Sequence, residues 1–150
     1  MATETTVVYG TSKTLEANGA SITNNNVDQA NDASYSVSSD GSNYPDAEFV
    51  LSVTFGTAPT ENSTIVLLVR PLDVDGTSDT EVPENGATTF KGQYVGTFVL
   101  NNVTTTQYAR LIAYDVPPTG DYFIWNNNTG QTISAGWTLK VRPRTYKPAP

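Results

Sequence analysis

Residues 47–55 read AEFVLSVTF, and their pattern is the clearest indication of the fold class. Every second residue from Ala47 to Phe55 is apolar, whereas Glu48 and Ser52 are among the residues between them. Side chains of a β-strand point alternately to the two faces of a sheet, so this period of two predicts a half-buried strand. We expect its odd-numbered residues to face the core.

The next apolar stretch, residues 64–69, reads TIVLLV and is continuous rather than alternating. Such a run between turn-forming residues is typical of a central strand that is covered on both faces. Further strand patterns occur at residues 5–9, 34–38, 93–100, 107–114, 121–125 and 137–142. Turn signals separate them, and 23 Thr, 13 Asn, 11 Gly and 9 Pro disfavour helices. The sequence therefore predicts an all-β protein, an antiparallel β-sandwich or jelly roll with extended termini.

A chain of 150 residues is long enough for one domain with its own core. We expect a single β-sandwich domain over residues 1–150, with an ordered core at about 33–142. Residues 1–32 form a polar amino-terminal segment, and residues 143–150 form a basic carboxy-terminal arm. Within the first segment, residues 12–31 carry few apolar side chains. Two interpretations therefore remain open: an edge strand plus a loop, or a poorly ordered arm that lies on the surface of the domain.

Charge is distributed unevenly along the chain. All 15 acidic residues lie at or before Asp121, whereas four of the eight basic residues lie in the last eleven positions. Arg and Tyr are favoured interface anchors, so we predict that Arg142, Arg144, Tyr146 and Lys147 bind a partner. An acidic protein surface or a neighbouring copy is the expected target, and a frayed terminus is the alternative.

Composition excludes several kinds of chemistry. The chain has no His and no Cys, which removes the Ser-His-Asp triad, thiol nucleophiles and the usual zinc sites. We therefore expect no enzyme activity and no cofactor. A net charge of −7 opposes nucleic acid binding. Neither a signal peptide nor a long apolar segment is apparent, so we expect no membrane association and no secretion.

Clustered carboxylates are the other potential source of chemistry. The segment from Asp73 to Glu81 holds four of them, but its glycine does not fit the spacing of an EF-hand loop, so a solvated loop is favoured over a metal site. Asp46 and Glu48 share a predicted strand face, and Asp115 and Asp121 flank a turn containing two prolines. Neither pair has a recognisable catalytic context, and a role in solubility is favoured.

The aromatic residues near the carboxyl end have two interpretations. Phe123, Trp125 and Trp137 fall on apolar stripes, which favours core packing over ligand binding. Tyr122 lies on the other side of its strand from Phe123 and Trp125, so an outward orientation is open for it. If these side chains bind a ligand instead, sugar stacking is the most natural role.

Five segments together resemble the capsid decoration, or cement, proteins of tailed bacteriophages. They are residues 43–49, 69–76, 94–98, 116–120 and 128–139, within a likeness that spans roughly residues 43–142. The resemblance implies a non-enzymatic β-sandwich protein, commonly a trimer, that binds the major capsid protein on the outside of the virion and stabilises the shell. It would be made in the host cytoplasm. The alternative is a carbohydrate- or cell-surface-binding module of a phage head or tail fibre, using Tyr122, Trp125 or the Asp73 loop.

Overall fold

The computed structural model describes residues 5–75, 82–83 and 93–148. This part of the chain forms ten β-strands and contains no helix that is long and apolar enough to cross a membrane. The strands are β1 (Thr5–Tyr9), β2 (Lys13–Gly19), β3 (Val27–Gln29), β4 (Tyr35–Ser36), β5 (Asp46–Val53), β6 (Thr64–Pro71), β7 (Gln93–Val99), β8 (Gln107–Ala113), β9 (Thr119–Trp125) and β10 (Trp137–Pro148).

Two antiparallel sheets form a sandwich, which confirms the predicted fold class. Sheet I has the strand order β1-β10-β5-β8, and β2 also pairs with β10. Sheet II has the order β3-β9-β6-β7, and β4 also pairs with β9. The rings of Phe49 in sheet I and Tyr122 in sheet II lie 4.9 Å apart between their centroids, so the two sheets pack directly on each other.

The core is built from the inward faces of both sheets. In β5 the side chains of Ala47, Phe49, Leu51 and Val53 are at most 1% exposed, as their alternation predicted. Residues 65–69 of β6 are buried without interruption, and β6 lies between β9 and β7. The prediction of a central strand is therefore confirmed.

A second, smaller hydrophobic cluster explains why residues 65–69 of β6 are apolar without interruption. Val66 and Leu68 belong to it, together with Val27 and Phe123, whereas alternate β6 residues enter the main core. Trp125 packs against this second cluster and Trp137 is buried in the main core. The predicted packing role of these aromatic residues is confirmed.

The ordered part of the chain begins earlier than the expected residue 33. Strands β2 and β3 form from residues 12–31, and Leu15 and Ile22 are 0% and 2% exposed. The interpretation as an edge strand plus a loop is the correct one for this segment. A few well-spaced apolar residues suffice here: Leu15 reaches the core from β2, which pairs only with β10, and Ile22 reaches it from an isolated bridge to Ile133.

The carboxyl end is a strand and not a free arm. β10 continues to Pro148 and pairs with β1 from Thr5↔Pro148 to Tyr9↔Arg144. The expected boundary at residue 142 was therefore too early. Proline restricts itself and the preceding residue to extended conformations, which suits a strand as well as a tail. Pairing of β10 with β5 ends at Arg144, so residues 5–8 and 145–148 form a two-stranded terminal ribbon.

Candidate interaction surface

The solvent side of sheet I carries an unusual concentration of tyrosine and arginine. Because side chains alternate along a strand, the residues between the core positions of β5, β8 and β10 share this side. We call it the outer face, and it comprises Tyr9, Asp46, Glu48, Val50, Ser52, Tyr108, Arg110, Ile112, Tyr114, Thr138, Lys140, Arg142, Arg144 and Tyr146.

Glu48 is the centre of an ion-pair network on this face. Its Oε1 accepts a hydrogen bond from Arg110 Nε at 2.5 Å, and its Oε2 accepts one from Arg142 Nη2 at 3.1 Å. Strand register produces this arrangement, because Glu48 pairs with Ile112 on one side and with Arg142 on the other. Burial raises the pKa of Glu48, but the hydrogen bonds from both arginines outweigh it, so the pKa lies below the ordinary value of 4.5.

Arg142 is also held by an aromatic ring. Its guanidinium carbon lies 3.8 Å from the centroid of the Tyr9 ring, which is a close cation–π contact. Tyr9 belongs to β1, so the first strand of the chain orients a side chain of the last strand. Arg142 therefore reaches its position through contacts with β1 and β5 together.

Arg144 is buried without a carboxylate partner among the described residues. It is 3% exposed, and its Nη2 donates a hydrogen bond of 2.6 Å to the hydroxyl of Tyr146. The rings of Tyr146 and Tyr114 lie 5.0 and 5.9 Å from its guanidinium carbon. Its Nε is buried and has no hydrogen-bond partner within the part of the chain that the structure describes. Aromatic rings thus provide most of the surroundings of this cation.

The tyrosines of the outer face are accessible to solvent, and three of them, Tyr9, Tyr114 and Tyr146, lie beside an arginine. Tyr108 is 77% exposed, Tyr114 64%, Tyr146 49% and Tyr9 39%. Exposed tyrosines that are already oriented by neighbouring arginines lose little side-chain entropy when a partner covers them. Tyr and Arg are also the residue types that dominate binding energy at protein interfaces. The outer face therefore has the chemistry of a docking surface.

The outer face is positive although the chain is negative. It carries four cations and two carboxylates, a balance of +2, within a protein of net charge −7. Glu48 is already shared between two arginines. Lys140 is exposed and makes no ion pair with any described residue. Because Glu48 offsets only one of its two arginines and Asp46 lies across from Arg144, the surplus positive charge is located on the Arg110–Glu48–Arg142 group and on Lys140.

A shallow groove lies beside Lys140. It has a volume of about 340 Å³ and is lined by Ser12, Glu48, Val50, Lys140, Val141 and Arg142. We call it the cationic groove. Its lining contains two cations, the partly exposed Val50 and the Glu48 carboxylate, which is already bound to two arginines, so it offers both positive charge and apolar surface to an occupant.

The structure brings together three of the four predicted partner-binding residues. Arg142, Arg144 and Tyr146 share the outer face, but they do so as part of β10 and not on a flexible arm. Lys147 points to the opposite side of the strand, where its Nζ lies 5.5 Å from the centroid of the Tyr44 ring. Whether these residues bind a partner stays a prediction.

Several residues of this surface were not predicted from the sequence. Tyr9 and Glu48 acquire their roles only through pairing of distant strands. Tyr108 and Arg110 had a local signal, because they alternate with core residues in the predicted strand at 107–114. An exposed tyrosine and arginine at successive outward positions are consistent with a binding face.

Two further candidate residues, Tyr122 and Asp121, are buried in the part of the chain that the structure describes. Tyr122 is 0% exposed and packs against Phe49 between the sheets, which excludes the outward orientation that the sequence left open. Asp121 is buried and pairs with Arg70 at 2.5 Å, and it also accepts a hydrogen bond from Ser34. No group of three or more carboxylates among the described residues is placed to hold a metal ion. The segment from Asp73 to Glu81 lies largely outside the described residues.

Glu48 gives a prediction that depends on pH. A carboxylate whose pKa is lowered by folding stabilises the protein at neutral pH, and this contribution is lost as the pH falls below 4.5. Both arginines are about half exposed, so we expect Glu48→Gln to reduce the free energy of unfolding at pH 7 by only about 1 kcal/mol. Urea unfolding of both proteins at several pH values measures the difference. It should shrink as the pH falls below 4.5, whereas a constant difference would contradict the ion-pair account.

Comparison with known proteins leaves the family open. No family model matches the chain, and no curated protein matches it. Among solved structures it is similar to CBM35 from Cellvibrio japonicus Abf62, with a TM-score of 0.42 and 12% identity over 98% of this chain and 99% of that one. It is also similar to a protein of Bacillus endospore appendages, which form a family of disulfide-linked pili. That TM-score is 0.32, with 11% identity over 93% of this chain and 89% of the other. Likenesses at this level carry no argument about function.

Proposed function

We propose that this protein is a non-enzymatic structural protein that docks through its outer face on another protein. In the specific form of the proposal, it is a decoration protein on the outside of a bacteriophage capsid. Its partner is the major capsid protein, and it acts as a trimer in the virion. The observation that carries the proposal is the cluster of exposed tyrosines and oriented arginines on one side of sheet I.

A rigid sheet suits docking on a repeating surface. The backbone of β5 and β10 is paired on both sides, so the outward side chains start from fixed positions. Ion pairs and cation–π contacts restrict them further. Little ordering is then needed on binding, which favours affinity. The resemblance of residues 43–142 to capsid decoration proteins supports a viral shell as the target.

Such docking stabilises a shell through linkage. A protein that binds the assembled lattice and not the free subunits lowers the free energy of the assembled state. Many identical sites on one shell multiply the effect, and a trimer binds through several faces at once. Neither a reaction nor a cofactor is required for this role.

The carbohydrate alternative has lost part of its support. It relied on Tyr122, Trp125 and the Asp73 loop. Tyr122 is buried in the core, and Trp125 packs against the second hydrophobic cluster. The outer face offers tyrosines, but the arginines already occupy the surroundings of Tyr9 and Tyr146. Binding of the protein to a defined glycan on an array would favour this alternative over capsid docking.

Sedimentation with phage shells tests the proposal. Fully assembled, expanded shells that lack this protein should bind it saturably. Shells that carry the protein should withstand heating to a higher temperature than shells without it. Unassembled capsid subunits are the control, and we expect them to leave the protein in the supernatant. Failure to sediment with expanded shells would contradict the capsid proposal.

A further inference from the structure

The cationic groove indicates what kind of surface the outer face meets. We propose that it receives carboxylate side chains from an acidic segment of the partner protein. The inference rests on the proposed docking function and specifies the chemistry of the partner. Lys140 and Arg142, the two cations of the groove, lie at the middle of β10.

Lys140 is the principal unsatisfied charge in the groove. It is exposed and forms no ion pair within the described chain. Its cross-strand neighbour in β5 is Val50, and on the other side it pairs with Thr14 of β2. Neither neighbour carries charge. The carboxylate closest along β5, Glu48, is hydrogen-bonded to two arginines and is not available to neutralise it.

Arg142 is only partly used by the protein itself. One of its nitrogens, Nη2, donates to Glu48, and one face of the guanidinium lies over the Tyr9 ring. A guanidinium has five N–H donors in a planar fork, so donors remain for a further acceptor. An incoming carboxylate can therefore bind between Lys140 and Arg142. Ser12 in the lining adds a hydroxyl that can donate a hydrogen bond.

The charge distribution favours an acidic protein over a nucleic acid. The outer face has a balance of +2, so the rest of the chain sums to −9. A long polyanion that approaches the face also meets this negative remainder and is repelled. An acidic segment on a folded partner places a few carboxylates locally, where the face is positive. The side chain of Val50, which is partly exposed on the outer face, can pack against the methylene groups of a glutamate side chain.

Nuclear magnetic resonance titration with hexaglutamate peptide tests this inference. At about 50 mM salt, where screening is weak, the peptide should shift amide resonances of β10 around Lys140 and of β5 around Val50. Lys140→Gln should weaken binding by about tenfold, in the range that one close charge pair contributes. Lys140→Arg should retain it. Gln93→Glu, at an exposed position of sheet II, lowers the net charge by one, as Lys140→Gln does. This variant should bind the peptide with unaltered affinity.

The outcomes separate this inference from the docking function. Absence of hexaglutamate binding, equal binding of hexaglutamine, or an unchanged affinity in Lys140→Gln would overturn it. If Lys140→Gln sediments with shells as well as the wild type, the groove inference is wrong and docking survives. If hexaglutamate binds but shells do not, the docking function fails and the groove stands. If the wild type self-associates and Lys140→Gln does not, the groove binds a second copy of the chain, and this result would contradict the proposal.

Discussion

Replacing Gly19 by alanine is expected to lower the free energy of unfolding by about 3 kcal/mol, within the upper range for overpacked cores. A methyl group at this position would lie 2.0 Å from Cε2 and 2.2 Å from Nε1 of Trp137. Trp137 is 1% exposed, and its Nε1 donates a hydrogen bond of 2.8 Å to the carbonyl of Ala20. The indole therefore has no free space to enter, and moving it breaks this hydrogen bond.

Gly56→Ala is the matched control for this substitution. An added methyl there has no atom within 4 Å, and neither glycine has a left-handed backbone conformation. The two variants thus differ in packing and not in backbone strain. We expect Gly56→Ala to melt at about the wild-type temperature and Gly19→Ala to melt about 10 °C lower. Equal melting temperatures would show that Trp137 does not pack against Gly19 as described.

Deleting residues 144–150 is expected to destabilise the protein by about 2–3 kcal/mol, because all five residue pairs between β1 and β10 disappear. Tyr9 loses its partner Arg144 and is held less firmly over Arg142. Hydrogen exchange should show rapid exchange of the β1 amides in the truncated protein. A simple tail would give no such change, so the deletion distinguishes a strand from an arm.

A second deletion makes this test sharper. Removing residues 1–9 eliminates the same strand pairs from the other side. Both truncations remove the same set of contacts. The double truncation should therefore lower the free energy of unfolding by about as much as the larger of the two single truncations. Additive losses, or full protection of the β1 amides after removal of residues 144–150, would contradict the pairing of β1 with β10.

Much of the sandwich was predictable because local patterns determine it. The alternation in residues 47–55 predicts which side of β5 is buried, and the continuous run in residues 64–69 predicts a central strand. Both signals arise from burial of side chains within a single strand, so no knowledge of the partners is needed.

The margins of the sandwich were predicted less well. β2 and β3 are polar edge strands, so their few apolar residues give a weak periodic signal. The end of β10 looks like a tail, because Pro143, Arg144 and Lys147 show no alternation. Its pairing with β1 joins residues more than a hundred positions apart, and single-strand patterns carry no information on such pairs.

The same reason explains the partial prediction of the candidate surface. Arg142, Arg144 and Tyr146 were identified by residue type alone. Their neighbours Tyr9 and Glu48 come from other strands, and only the register of β10 with β1 and β5 brings them together. A charged residue in a strand normally indicates a solvated face, so Glu48 had no distinguishing signal.

Shell binding by two tyrosine variants is the most direct test of the central claim. Tyr108 is 77% exposed on the outer face, and Tyr94 is 55% exposed on β7 of sheet II. Both variants, Tyr108→Ser and Tyr94→Ser, should fold, which melting curves verify before binding is measured. If the outer face docks on the shell, Tyr108→Ser will sediment with expanded shells about tenfold more weakly than the wild type, and Tyr94→Ser will bind normally. Undiminished binding by Tyr108→Ser would contradict docking through the outer face, and loss of binding by Tyr94→Ser in addition would assign docking to sheet II.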